Sequence, residues 1–298
     1  MRFGKKIWIG IIVAVVVAIG GVGTWAVLYY KNRSVATVAN GNGTIDSAEV
    51  TNLPEQTLEQ TPEQTPAPTY TPTPLDVQTP GKADADITDR LIIKDGQRKA
   101  FLTFDDGPSE NTAKILDILK QYDVKATFFV MGKNAESHPE LIKRIFEEGH
   151  AIGNHSYNHN YGYMYSRAEN FKEEVEKTTE LIGSIIGQEN VQKLFRFPGG
   201  SFEQSKAPYK QILSEMGYSF ADWNSLNGDA DGKPYTHEHI MTMFQETTIK
   251  HEDAVVLMHD TAAKTLTVDA LPECIEYLKN YGFTFEAIHV ADGAEGAA

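Results

Sequence analysis

Residues 99–108 read KAFLTFDDGP, and this stretch decides the fold. Residues 99–104 are a mostly apolar run of one strand's length and read as a strand. Two adjacent carboxylates, Asp105 and Asp106, follow, and then a Gly-Pro turn that ends strand geometry. In a continued strand the two carboxylates would point to opposite faces; a turn releases that constraint and frees one for a metal and the other for a proton. The same residues also suit a plain turn into a helix.

Working outward, similar short runs occur at 126–130, 150–154, 194–197, 218–222, 254–258 and 284–288. Helical spacing lies between them: Ile115, Ile118, Leu119 and Tyr122 follow i, i+3, i+4, i+7, and Leu271, Ile275 and Leu278 repeat the pattern near the end. Seven βα repeats predict an α/β fold with a parallel sheet, either closed into a barrel or doubly wound.

In such folds sites assemble at the C-terminal ends of the strands, and polar clusters follow several of the expected strands. After the third comes His155-Ser156-Tyr157-Asn158-His159, two imidazoles four apart that one helical turn would bring onto one face. With Asp106 they make a two-His, one-carboxylate set, which leaves positions open as catalytic zinc requires. The fourth strand ends in Arg196-Phe197-Pro198-Gly199-Gly200, where Arg196 offers a fixed fork for a carboxylate and the glycines let main chain approach a ligand. Asp222-Trp223 closes the fifth strand and Leu257-Met258-His259 the sixth. Asp222 can polarise an imidazole, Trp223 can wall a sugar-sized pocket and His259 can donate a proton near neutral pH. Taken singly, each also suits a surface ion pair, a core ring or a satisfied strand-end histidine.

Together TFDDGP, HSYNH, RFPGG, DW and LMH resemble, in order and approximate spacing, the five motifs of the polysaccharide deacetylases with the NodB-homology domain, carbohydrate esterase family 4. The resemblance implies a distorted (β/α)7 barrel of parallel strands spanning 97–292. It implies Asp105 as catalytic base, Asp106, His155 and His159 as ligands of a divalent metal, zinc or another such as cobalt, and Arg196 as the group orienting Asp105. Asp222 would tune His259, His259 would act as general acid, and Trp223 and Leu257 would line the acetyl pocket. Many members carry a Tyr after the Arg-x-Pro, whose N–H helps bind the oxyanion; here that position is Gly199, which keeps the N–H and lacks the ring. The implied reaction removes acetyl from a linear N-acetylated glycan and releases acetate.

Before this domain the chain changes character twice. Residues 7–30 are almost uninterruptedly apolar, and about 24 residues at ~1.5 Å each can cross a hydrocarbon core of roughly 30 Å. Arg2, Lys5 and Lys6 precede the stretch while Lys31 and Arg33 follow, a slight bias toward a cytoplasmic N-terminus. Residues 1–33 therefore read as a single-pass membrane anchor, with a cleavable signal peptide as the competing account. Residues 34–96 are rich in Thr, Pro, Gln and Glu, including Pro54, Pro62, Pro66, Pro68, Pro72, Pro74 and Pro80. They read as a disordered linker with a reach between roughly 45 Å relaxed and 190 Å extended. Residues 293–298 form a tail. This order puts residues 97–292, the third zone of the chain, outside the cell membrane, where peptidoglycan N-acetylglucosamine is the expected substrate. Chitin oligomers, poly-N-acetylglucosamine, acetylated xylan and a non-catalytic glycan-binding role are the alternatives.

The whole-chain balance agrees. With 41 acidic against 27 basic side chains the net charge is −14, which excludes a general phosphate-backbone binder, so no nucleic-acid partner is expected. A single cysteine, Cys274, excludes an intramolecular disulfide framework and leaves metal chemistry to His and carboxylates. No exposed apolar stripe in the third zone demands a partner, and a monomeric catalytic domain is expected. Gln188, Glu189, Lys206 and Tyr209 lie in loops or helix ends and suit either a glycan contact or plain surface.

Overall fold

The computed structural model describes residues 85–92, 96–233 and 235–290. The expected anchor, most of the linker and the tail lie outside the described residues, and among those described no helix is long and apolar enough to cross a membrane.

The KAFLTFDDGP stretch forms β1 (Arg98–Asp105), whose last six residues are all buried. Around it run β2 (Thr127–Val130), β3 (Ala151–Asn154), β4 (Leu194–Phe195), β5 (Ser219–Phe220), β6 (Ser225–Leu226), β7 (Asp253–His259) and β8 (Phe283–Phe285). The helices are α1 (Thr88–Leu91), α2 (Glu110–Tyr122), α3 (Gly132–Ser137), α4 (Pro139–Glu147), α5 (Tyr161–Met164), α6 (Ala168–Ile186), α7 (Ala207–Glu215), α8 (His237–Thr248) and α9 (Thr265–Asn280).

Every strand pairing is parallel, in the order β5-β4-β3-β2-β1-β7-β6, with β8 on β1. This order settles between a barrel and an open sheet. β5 and β6 stand at opposite ends of it, yet only residues 221–224 separate them along the chain. Four linking residues span at most about 18 Å. The two edges of the sheet must therefore lie close together, and the sheet curls into an incompletely closed barrel. The strand expected at 218–222 is accordingly only the two-residue β5, paired with β4; a further short strand that the sequence did not suggest, β6, follows once the chain has crossed the seam, and pairs with β7.

Strand alternation divides the core in two. Leu102 and Phe104 of β1, Phe128 and Val130 of β2, and Val256 and Met258 of β7 face outward and pack with Ile115, Leu116 and Leu119 of α2 and Leu271, Ile275 and Leu278 of α9. Phe101, Phe129, Leu194, Ala221 and Val255 form a separate cluster that fills the barrel's interior. Above this plug the inward positions are Thr103 and Asp105 on β1 and Leu257 and His259 on β7, so all but Leu257 are polar. Thr103 pairs with Leu257, and Asp105 with His259, in one register.

Within the stretch expected as linker, residues 85–92 are described and pack on the barrel. The Ile87 N–H donates to Phe220 O at 2.9 Å, the Phe220 N–H donates to Ala85 O at 2.9 Å, and the Ile87 side chain joins the interior cluster. An apolar side chain that reaches the barrel outweighs the polar composition around it.

Candidate active site

Asp105 is the last residue of β1 and points into the barrel mouth. Asp106 adopts a left-handed φ of 72°, which breaks the strand alternation and swings the second carboxylate to the same mouth. Ser109 caps α2 directly after the turn, accepting the Asn111 N–H at 3.1 Å while its own N–H donates to Thr112 Oγ1 at 2.7 Å.

Asp105 is buried and ion-paired with Arg196, Nη1 to Oδ1 at 2.9 Å. Arg196 is itself fully buried, its face 4.0 Å from the Phe129 ring, and its remaining N–H groups donate to Thr103 Oγ1, Ala221 O and Asp222 O. A guanidinium with so many fixed acceptors cannot rotate, so it holds one Asp105 oxygen and leaves the other facing the site. Burial raises the Asp105 pKa above the ordinary carboxylate value, opposed by the charges of Arg196, His259 and His159. The carboxylate is therefore a stronger base than a solvated one.

The two imidazoles converge differently from expectation. The loop 155–160 is not helical; Ser156 and His159 both take left-handed φ values, 67° and 58°. Local side-chain bonds outcompete a helical turn here: the Ser156 N–H donates to Asn154 Oδ1 and the His159 N–H to Ser156 Oγ. Buried Glu174 on α6 then accepts the N–H groups of Tyr157 and Asn158 at 2.8 and 3.0 Å. The result still brings the rings together, with centroids 5.1 Å apart.

The ligand atoms of Asp106, His155 and His159 all lie within 4.8 Å of one another. His155 Nδ1 is 2.8 Å from Arg196 O, and a carbonyl can only accept, so the proton sits on Nδ1 and the Nε2 lone pair faces the site. Burial pushes the His155 pKa down to about 3, against the pull of Asp106, and keeps the ring neutral. Asp106 Oδ1 lies 3.5 Å from His155 Nε2 and 3.4 Å from His159 Nε2, yet it is buried without a hydrogen-bond partner. An orphaned carboxylate oxygen beside an imidazole lone pair is repulsive unless a cation lies between them. Two imidazoles and one carboxylate fit a divalent cation of the zinc type with coordination positions left open.

On the other side stands His259, the last residue of β7. Its Nδ1 is 2.7 Å from Asp229 Oδ1, and its own N–H donates to Asp229 Oδ2 at 2.8 Å. Thr267 also donates to Oδ2, at 2.9 Å, and Lys264 donates to the Asp229 carbonyl. Burial would lower the His259 pKa, but the Asp229 hydrogen bond and charge, with help from Asp105 and Asp106, outweigh it and push the value up to about 9.

Asp222, the residue expected to tune His259, does something else. Its carboxylate accepts the N–H and hydroxyl of Ser201, its carbonyl holds Arg196, and its own N–H donates to Thr88 Oγ1. Asp229 takes the expected part because the chain crosses the barrel seam between the two aspartates and only the second reaches β7. Trp223 is half-buried, 5.7 Å from the Arg196 guanidinium, and half-buried Leu257 lies two residues before His259 on the same strand. Gly199 is exposed with φ 75°, and its N–H has no acceptor among the described residues. Lys206 and Tyr209 are buried, with the ammonium over the Tyr165 ring and its pKa lowered by burial to about 8. Gln188 and Glu189 precede β4, at the strand end away from the mouth.

The polysaccharide deacetylase family model matches residues 93–221. A peptidoglycan-N-acetylglucosamine deacetylase of Bacillus cereus is 35% identical over 198 residues, covering 65% of this chain and 70% of that protein. A peptidoglycan-N-acetylmuramic acid deacetylase of Bacillus subtilis is 32% identical over 199 residues, 64% of this chain and 70% of its own. The solved structure of a Streptococcus mutans CE4 esterase superposes with a TM-score of 0.60 at 35% identity, covering 66% of this chain and 88% of that one.

Proposed function

This chain belongs to the polysaccharide deacetylase family, and on that footing we propose that it hydrolyses the N-acetyl groups of a cell-envelope glycan, with peptidoglycan N-acetylglucosamine as substrate and acetate as product. One observation carries the reading: a carboxylate base and an imidazole acid flank the same three-ligand cluster, Asp105 fixed by Arg196 on one side and His259 fixed by Asp229 on the other.

Asp106, His155 and His159 are the residues that would hold zinc or a similar divalent cation. When bound, such a cation polarises an amide carbonyl and lowers the pKa of an attacking water. Asp105 Oδ2 lies 3.8 Å from His155 Nε2, so the base faces the cluster and takes the water's proton during attack on the acetyl carbon. The Gly199 N–H has no competing acceptor among the described residues and is the donor to the developing oxyanion in this reading, a contribution of about 3–4 kcal/mol for such donors. His259 carries its Nδ1 proton against Asp229 and presents Nε2–H, which protonates the leaving amine. Trp223 and Leu257 exclude water beside the acetyl methyl. The amine becomes cationic at neutral pH, so each turnover adds positive charge to the polymer.

Residues 7–30 as a single-pass anchor and the polar linker support an extracytoplasmic catalytic domain that acts as a monomer on the wall. The test is acetate release by the full chain from purified peptidoglycan sacculi, chitin oligomers, poly-N-acetylglucosamine and acetylated xylan. The reading expects the sacculi to give the highest rate; a higher rate on any soluble polymer contradicts the substrate, and no release from any of them contradicts the activity.

A further inference from the structure

Gly199 and Gly200 both take left-handed φ values, 75° and 78°, and the room beside each is filled by rings from elsewhere in the chain. A Cβ on Gly199 would stand 3.0 Å from Cε1 and 3.1 Å from the hydroxyl of Tyr161. A Cβ on Gly200 would stand 2.7 Å from Phe202 and 3.0 Å from Trp223. The main chain of 199–200 therefore has an aromatic ring packed close beside each residue, and the Gly199 N–H has no acceptor among the described residues.

Both rings face water. Tyr161 is 46% exposed and Phe202 65%, whereas Phe195, Phe197 and Phe220 are fully covered. They are nevertheless held in place. Tyr161 stands edge-on to the candidate ligand His159, with centroids 5.0 Å apart at 87°, and is backed by Tyr165, whose hydroxyl donates to Pro198 O. Phe202 meets Trp223 edge to face at 5.2 Å. Fixed, exposed rings beside the 199–200 main chain match the amphipathic surface of a pyranose, whose C–H faces stack on aromatics while its hydroxyls stay wet.

We propose that Tyr161 and Phe202 are the sugar-stacking walls of the groove, each holding a pyranose ring of an extended glycan with the reacting acetamide over Gly199. The proposal rests on the deacetylase reading for its ligand class. It also answers the ring missing at position 199: Tyr161, the first residue of α5, occupies that space, and the groove keeps an aromatic wall that the local sequence lacks.

The test uses the full chain and the N-acetylglucosamine tetramer, with calorimetric binding and acetate release measured in parallel. Tyr161→Ala and Phe202→Ala are expected to weaken tetramer binding and raise KM about fivefold each, with kcat within about twofold. Tyr161→Phe, which keeps the ring, is expected to bind like the parent, and divalent-metal affinity is expected to stay unchanged in Phe202→Ala. Unaltered tetramer binding in both alanine variants, or no tetramer binding by the parent, overturns the proposal. Acetate release by the parent is scored separately, on the tetramer and on purified sacculi: a parent that binds the tetramer through these rings and releases no acetate from either refutes the deacetylase reading and supports the walls.

Discussion

Replacing Asp229 with Asn should move the alkaline limb of the pH–rate profile. In the parent, both oxygens of Asp229 serve His259: Oδ1 takes the ring Nδ1–H at 2.7 Å and Oδ2 the main-chain N–H at 2.8 Å. These contacts lift His259 from 6.5 to about 9 against a burial effect of opposite sign. Without the carboxylate charge, burial is opposed only by Asp105 and Asp106, and the pKa falls toward the ordinary 6.5, a drop of about 2 units, or ~3 kcal/mol of imidazolium stabilisation. At pH 8 the protonated fraction then falls from about nine-tenths to about three-hundredths, roughly 30-fold less general acid. Asn also turns an NH2 toward one of the two donors of His259, which costs a further ~1–3 kcal/mol. The assay is kcat/KM for acetate release between pH 5 and 10, with Asp222→Asn alongside. A limb displaced by about 2 units to lower pH in Asp229→Asn, and unmoved in Asp222→Asn, is the expected pair of results. If Asp222→Asn moves the limb and Asp229→Asn does not, the assignment of Asp229 is refuted.

Asp105→Asn is expected to lower kcat by about 10²-fold or more while one equivalent of divalent metal still binds, since the base is lost and the three candidate ligands remain; activity retained with metal bound contradicts the role. Glu174→Ala removes the acceptor of the Tyr157 and Asn158 N–H groups, and metal affinity measured by competition with a chelator should weaken about tenfold or more. The raised His259 pKa means that its stabilisation is complete below about 6.5 and is lost as pH rises through about 9. The melting-temperature gap between metal-free parent and Asp229→Asn should therefore narrow over that window. Phe171, fully buried among Phe195, Phe197 and Tyr209, should cost about 3–5 kcal/mol when cut to Ala, read from urea unfolding.

The barrel was legible wherever one strand's residues carry the whole signal. β1 is covered on both faces, so its apolar run is continuous, and the carboxylates that break it mark the mouth. The helical spacing of Ile115 and Leu119, and of Leu271, Ile275 and Leu278, reports one buried face, and all five side chains are fully covered. What stayed hidden depends on contacts distant in sequence. Asp229 has no periodicity to announce it and gains its meaning only because the chain crosses the seam and pairs with β7. Asp222 has the better local pattern, an acid at a strand end before Trp, but Ser201 takes its oxygens. The spacing of His155 and His159 suits a helix, and the rings do converge, yet by two left-handed residues that Asn154 and Ser156 stabilise. Tyr161 carries no local signal, and its place becomes plain only where it stands beside the missing side chain of Gly199.

The central claim, that Asp106, His155 and His159 hold a cation on which deacetylation depends, is tested most directly by titrating chelator-treated protein with zinc while following acetate release from peptidoglycan. The account predicts no release without metal, a rise that saturates at one equivalent per chain, and neither tight binding nor release in His155→Ala. Full release from metal-free protein, or tight one-equivalent binding that survives loss of His155, would contradict it.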